Sequence, residues 1–154
     1  MKVKKLMKTE VATCRAEDSL TEVAGAMHRR DCGVIPVVDD EQKVIGMITD
    51  RDICLAVADG DKKASEIRVK SLLGHRVIKC RSADRITKAL KKMRKNQVKR
   101  LPVVGKNEEL VGIVSITDFL LSGPRKKSVR KKVYSTLKAI GRPRRIILRE
   151  IAGK

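Results

Sequence analysis

The chain has almost no aromatic residues: Phe119 and Tyr134 are the only two, and tryptophan is absent. Any core must therefore be aliphatic, and there is no aromatic platform on which unpaired bases could stack. Cysteine is scarce too. Cys14, Cys32, Cys54 and Cys80 form no Cys-x-x-Cys, and neither His28 nor His75 stands at zinc-finger spacing from them, so the pattern implies buried, reduced thiols rather than a metal site or redox dithiol. No apolar run approaches the ~18 residues of a membrane span. The opening MKVKKLMKTEV is basic but too poor in apolar residues for a signal peptide, and a soluble, cytoplasmic protein is expected. With no Walker loop, paired carboxylates or Ser/His/Asp grouping, neither catalysis nor a cofactor is expected.

Acid is short in one region. The formal net charge is +19, and residues 123–154 hold 12 Lys and Arg against the single acid Glu150, contributing +11. Residues 1–122, with 25 basic and 17 acidic groups, contribute the remaining +8. Such an excess bears on partners and solubility, not on fold.

What the chain does have is a repeat. Shifted by 66 residues, Val3–Leu55 aligns with Val69–Leu121 without a gap, with identities that include Cys14, Arg15, Asp18, Pro36, Val37, Val38, Gly46 and Asp52. Two copies at so long a period indicate a duplicated module, not a solenoid. In each copy a short amphipathic lead-in (Val3, Leu6, Met7; Val69, Leu72, Leu73) precedes an extended stretch, Val11–Cys14 in the first. A helix follows. Its apolar face is Leu20, Val23, Ala24 and Met27 in the first copy, with Asp18 as expected N-cap, and Ile86, Ala89, Leu90 and Met93 in the second, with Asp84 as cap. Val34–Val38 and Val44–Thr49 read as strands joined by a polar turn, and a further helix runs to Gly60. Pro36 and Pro102 cannot donate to a ladder and are expected at an edge or strand start. Asp59–Glu66 reads as a linker. The expected class is α/β or α+β, with repeats at 3–58 and 69–122 and a basic extension at 123–154.

Three pairs of segments carry a family resemblance: VKKLMKTEVATCRAEDSLTEVAGAM with VKSLLGHRVIKCRSADRITKALKKM, IPVV with LPVV, and GMITDRD with GIVSITD. The pair resembles two cystathionine-beta-synthase (CBS) domains in tandem, a Bateman module, over residues 3–121. The resemblance implies two halves related by a pseudo-two-fold with clefts between their sheets, usually assembled as a disc-like homodimer. It also implies a regulatory, non-catalytic role in which AMP, ADP, ATP or S-adenosylmethionine is bound.

Each copy closes on Gly-x-x-Ser/Thr-x-x-Asp: Gly46, Thr49, Asp52 and Gly112, Ser115, Asp118. A hydroxyl at a strand end and an acid three residues on, entering a helix, gather a donor, a carboxylate and free backbone N–H groups. The carboxylate suits a ribose diol, and the hydroxyl and N–H groups suit phosphate. The same residues also form a capping box, with acid in place of the usual Glu or Gln, and the two roles are compatible. Lys99 and Arg100 single out the second copy: if the two strands pair, Arg100 lies near Ser115 and offers a forked guanidinium. The set Lys99, Arg100, Ser115, Thr117 and Asp118 looks like an AMP site of the gamma subunit of AMP-activated kinase. Lys99 stands where that family has histidine. The first copy has Gly33-Val34 there, and Arg51 is its substitute, so unequal clefts are expected. Val11–Cys14, Val77–Cys80, Ile35 and Leu101 are candidate adenine walls and equally plain core.

In the extension, Val129, Val133, Leu137 and Ile140 predict a helix over Ser128–Ile140, ended by Gly141 and Pro143. Ile146, Ile147, Leu148 and Ile151 suggest that the extension docks. Gly141–Arg145 is similar to the core of an AT-hook, with Arg142, Arg144 and Arg145 as candidate nucleic-acid contacts. Two classes stay open: an adenine-nucleotide sensor signalling to an unknown protein target, and a nucleic-acid-associated protein whose tail binds phosphate backbone.

Overall fold

The computed structural model describes residues 1–74 and 76–143. After a 3-10 turn at Val3–Lys5, the first repeat contributes α1 (Leu20–Arg29), β1 (Val34–Val38), β2 (Val44–Thr49) and α2 (Asp50–Ala58). A second 3-10 turn, Val69–Leu72, leads to β3 (Cys80–Arg81), α3 (Ile86–Asn96), β4 (Arg100–Val104), β5 (Leu110–Ser115) and α4 (Ile116–Ser122), and then α5 (Lys127–Ile140). The class is α+β, as expected.

The two sheets are copies of each other. β1 and β2 pair antiparallel with Val34 opposite Thr49 and a bulge after Val37; β4 and β5 pair with Arg100 opposite Ser115 and a bulge after Val103. β3 adds to β4 in parallel, and in the first repeat the single residue Cys14 does the same to β1. The prolines therefore lie in the middle strand, not at an edge. They are tolerated because a strand residue's N and O face the same side: Cys14 N–H donates to the Pro36 carbonyl, so the Pro36 nitrogen faces this same short neighbour, which supplies one ladder residue.

The lead-ins are exchanged between repeats. Val3 N–H donates to Asp84 O and Lys4 N–H to Ser82 O, so Val3 is sealed in the second repeat's core beside Leu90 and Met93. Reciprocally, Val69 N–H donates to Asp18 O and Lys70 N–H to Ala16 O, and Val69 joins Leu20, Val23 and Ile35. The motif glycines make room for this crossing. A Cβ on Gly112 would stand 2.6 Å from the Lys8 carbonyl oxygen, and one on Gly46 would run into the Leu73 side chain. The repeats also meet at their β-turns, where Leu110 N–H donates to Gln42 O and Val38, Val44 and Val104 form a small shared core.

Two features of the helices differ from expectation. Ser19, not Asp18, caps α1, in a capping box with Glu22, and Asp18 instead accepts from the Arg15 N–H. Likewise α3 starts from Arg85, which makes no side-chain cap, while Asp84 accepts from Arg81 N–H and from Lys88 Nζ at 2.7 Å. Each aspartate closes the turn before its helix. Ala24 is exposed, whereas its counterpart Leu90 is 1% exposed. α5 explains the difference: it packs on α3 and α4, burying Val133 and Thr136, while among the described residues no equivalent helix covers α1. For the same reason Ile116 and Phe119 are buried on α4, but their counterparts Asp50 and Ile53 are not. α5 spans the expected helix, and Gln97 pins its end by donating to Ala139 O at 2.9 Å and Arg142 O at 3.4 Å. Arg144, Arg145, His75 and the apolar group Ile146–Ile151 lie outside the described residues. Among the described residues no helix is long and apolar enough to cross a membrane.

Candidate functional site

The second-repeat corner is built where β4 begins, β5 ends and α4 starts. Ser115 caps α4: its backbone N–H and its hydroxyl donate to Asp118 Oδ2 at 2.6 and 2.7 Å, and Asp118 N–H donates to Ser115 Oγ at 3.2 Å. This reciprocal box consumes one carboxylate oxygen. Oδ1 of Asp118 makes no hydrogen bond to a described residue, which leaves it and the half-buried edge of the carboxylate for a ligand donor. Directly across the ladder from Ser115 stands Arg100, and Ile116 N–H donates to the Lys99 carbonyl at 2.8 Å, fixing the Lys99-Arg100 backbone against the start of α4. Lys99, Arg100 and Thr117 are exposed. Neither cation is in an ion pair among the described residues.

The first-repeat corner has the same backbone with opposite charge. Thr49 and Asp52 form the matching capping box, with Thr49 Oγ1 donating to Asp52 Oδ2 at 2.6 Å, and Asp50 N–H donates to Gly33 O at 3.2 Å. Arg51 is exposed, with its N–H on Asp50 Oδ1. Beside it lies an open recess of about 310 Å3 lined by Met27, His28, Asp31, Cys32, Gly33 and Asp50. Asp31 and Asp50 make this recess acidic where the second repeat places Gln97 and Ile116. The two corners thus differ in the charge beside them: Asp31 and Asp50 at the first, Lys99 and Arg100 at the second.

Ile35 and Leu101 are 0% exposed, and Cys14 and Cys80 sit in the two cores, so these four candidates for an adenine wall are core instead. Both middle strands are covered on their two faces and bury four consecutive residues, Ile35–Val38 and Leu101–Val104. Val11 and Val77 remain half-buried. Burial pushes the Cys14 and Cys80 thiols up to about 12. Contrary to the expectation of buried thiols throughout, Cys32 is half-buried and Cys54 is exposed, on the outward side of α2 just as its counterpart Leu120 is on α4. Among the described residues, no group of three His, Cys, Asp or Glu could hold a metal ion.

A larger recess, about 560 Å3, went unseen in the sequence; it lies between α4, the 123–125 connector and α5, lined by Phe119, Leu121, Val129, Arg130, Tyr134 and Leu137 among others. The exposed Tyr134 and Leu137, three residues apart on α5, were its only signal.

Comparison with known proteins bears on both halves. The CBS domain family model matches residues 3–59 and 69–123. The CBS domain-containing protein YhcV of Bacillus subtilis is 36% identical over 126 residues, covering 78% of this chain and 84% of that protein. The inosine-5'-monophosphate dehydrogenases of Mycobacterium are 32% identical over 114 residues, and the chain spans about a fifth of their length. Among solved structures, the CBS domain pair of protein MJ0100, in complex with 5'-methylthioadenosine and S-adenosyl-L-methionine, matches with a TM-score of 0.71 at 27% identity, covering 82% of this chain and 98% of that one. A CBS domain protein from Pyrobaculum aerophilum complexed with AMP has the same fold, with a TM-score of 0.73 at 21% identity over 88% of this chain and 99% of that one.

Proposed function

Because the chain belongs to the CBS-domain family as a tandem pair, we propose that it is a regulatory module whose second-repeat corner binds an adenine nucleotide, AMP foremost, and conveys occupancy to a partner protein. The observation that carries this reading is the register of Arg100 against Ser115, which sets a guanidinium beside a helix start whose carboxylate keeps one oxygen open. The adenosine part of the proposal is supported by the ligands of the MJ0100 pair. In this assignment Lys99 and Arg100 neutralise phosphate, Ser115 and Thr117 offer hydroxyls, and Asp118 Oδ1 accepts from the ribose diol. The first corner, with Thr49, Arg51 and Asp52, has the ribose elements but carries Asp31 and Asp50 where phosphate would sit.

The role is binding, not catalysis, and the working unit is a homodimer. α2 and α4 leave Leu55, Leu120 and Leu121 exposed at 52, 59 and 77%, a surface suited to a second copy. Ligand bound at the corner acts on α4 and, through Gln97, on the end of α5, which gives a bound nucleotide differential contacts with the extension.

Isothermal calorimetry with AMP tests the assignment. The expected result is saturable binding that weakens about tenfold or more in Arg100→Gln, and likewise in Asp118→Asn, which retains an oxygen for the α4 cap. Asp52→Asn should change affinity little. Equal loss from the Asp52 and Asp118 variants would overturn the ranking of the two corners, and no loss from either would show that the motifs serve only as caps.

A further inference from the structure

α3 and α5 each carry five Lys or Arg and no acid, and the fold packs them side by side. Thr136 Oγ1 approaches the Leu90 carbonyl at 3.4 Å and Gln97 donates to that of Ala139, so the C-terminal halves of the two helices lie together. Their apolar stripes, Ala89, Leu90 and Met93 on one and Val133 on the other, are committed to the core. That forces the cations outward: Lys91, Arg94 and Lys95 on α3, and Lys127, Lys131, Lys132 and Lys138 on α5, are all exposed. None is in an ion pair among the described residues, although acids elsewhere in the chain do pair with Lys70, Lys79, Arg81 and Lys88. Seven like charges on one surface, with no compensating carboxylate, repel one another and destabilise the fold unless an anion covers them.

We propose that this two-helix face binds the phosphate backbone of a nucleic-acid duplex, without reading its sequence. At about 1.5 Å per residue the 14 residues of α5 extend about 21 Å, the length of about six base pairs. The face offers positive charge to two rows of phosphates but no aromatic side chain to stack on, which suits a duplex and not a single strand. A membrane surface fits less well. An interfacial helix needs its apolar side free beneath the cations, and here that side is buried on α3 and α4. The exposed Tyr134 and Leu137 face the α4 recess instead. The site is separate from Lys99 and Arg100, and it moves the expected contact from the Gly141–Arg145 tripeptide and its flank to the body of the module.

The test is fluorescence anisotropy of the full chain with a labelled mixed-sequence duplex of about 24 base pairs, titrated between about 50 and 200 mM salt. If the face engages four or five phosphates, log affinity falls against log salt with a slope of about −4. Replacing Lys91, Arg94, Lys131 and Lys138 together by Gln should lower affinity at least about tenfold at the lower salt and flatten the slope by about 3. Melting of that variant should not fall, since these side chains are exposed and unpaired. A tail variant, Arg142→Gln with Arg144→Gln and Arg145→Gln, should lose less. The proposal is overturned if the tail variant loses as much as the helix variant, if no duplex binding is detected, or if vesicles rich in phosphatidylserine retain the protein under conditions where the duplex does not.

Discussion

At the scale of single residues, the same motif is used twice with different surroundings, and the surroundings set the chemistry. Thr49–Asp52 and Ser115–Asp118 make nearly identical capping boxes, yet one stands beside Asp31 and Asp50 and the other beside Lys99 and Arg100. The cysteines show the same dependence. Cys14 and Cys80 are sealed and neutral, with burial holding both near 12, whereas Cys54 is exposed. Under native conditions a thiol reagent should modify Cys54 quickly and Cys14 and Cys80 only at the rate of unfolding, which mass mapping of time points would show. The alkaline limb of stability follows with a definite sign. A thiol raised on folding favours the native state while it stays protonated, so its contribution is complete below the unfolded value of about 8.5 and is lost as pH rises from there towards 12. The Cys14→Ala/Cys80→Ala protein should therefore lose stability less steeply than wild type over that range in urea melts. An equal slope would mean that other groups govern the limb.

At the scale of elements, the exchanged lead-ins account for the motif glycines. Gly112 faces a backbone oxygen, Lys8 O, held in place by reciprocal hydrogen bonds of 2.9 Å between Lys8 and Ile113. Gly46 faces the end of a Leu73 side chain, which can turn aside. Gly112→Ala should thus cost about 1–3 kcal/mol and Gly46→Ala less, measured by chemical denaturation. The capping serine is a second case: Ser19→Ala removes an acceptor from the start of α1 and should cost about 1 kcal/mol, whereas Arg85, which makes no side-chain cap, should tolerate alanine. Aspartate suits either a cap or the turn before it, so the sequence alone does not separate Asp18 from Ser19 or Asp84 from Arg85. The choice was made by one residue of offset, which the Val69 and Val3 N–H groups fix by bonding to the Asp18 and Asp84 carbonyls.

At the scale of the whole molecule, neither repeat is a self-contained unit of sequence. Val3 completes the second core and Val69 the first. Val3→Ala should lower stability by about 1.5–3 kcal/mol and reduce hydrogen-exchange protection first in α3, while Val69→Ala should do so first in α1. Loss of protection in the variant's own sequence repeat would contradict the exchange. Among the described residues α5 breaks the symmetry by covering α3 and α4, and so seals Leu90 and Phe119 while their counterparts Ala24 and Ile53 stay exposed and half-buried.

The sequence by itself determined the duplication, the order of the main strands and helices, the end of α5 at Ile140 and the two hydroxyl–carboxylate capping boxes, because these rest on local periodicity, turn chemistry and identity between copies. It also placed Arg100 near Ser115 on the condition that β4 and β5 pair, and the observed register sets the two opposite each other. Only the tertiary structure decided which repeat each lead-in serves, that Ile35 and Leu101 are core and not cleft wall, that Ala24 is exposed, and that the cation-rich helices α3 and α5 pack side by side. Those are contacts between segments far apart in the chain, and their choice depends on which apolar stripes bury one another, which no local pattern encodes.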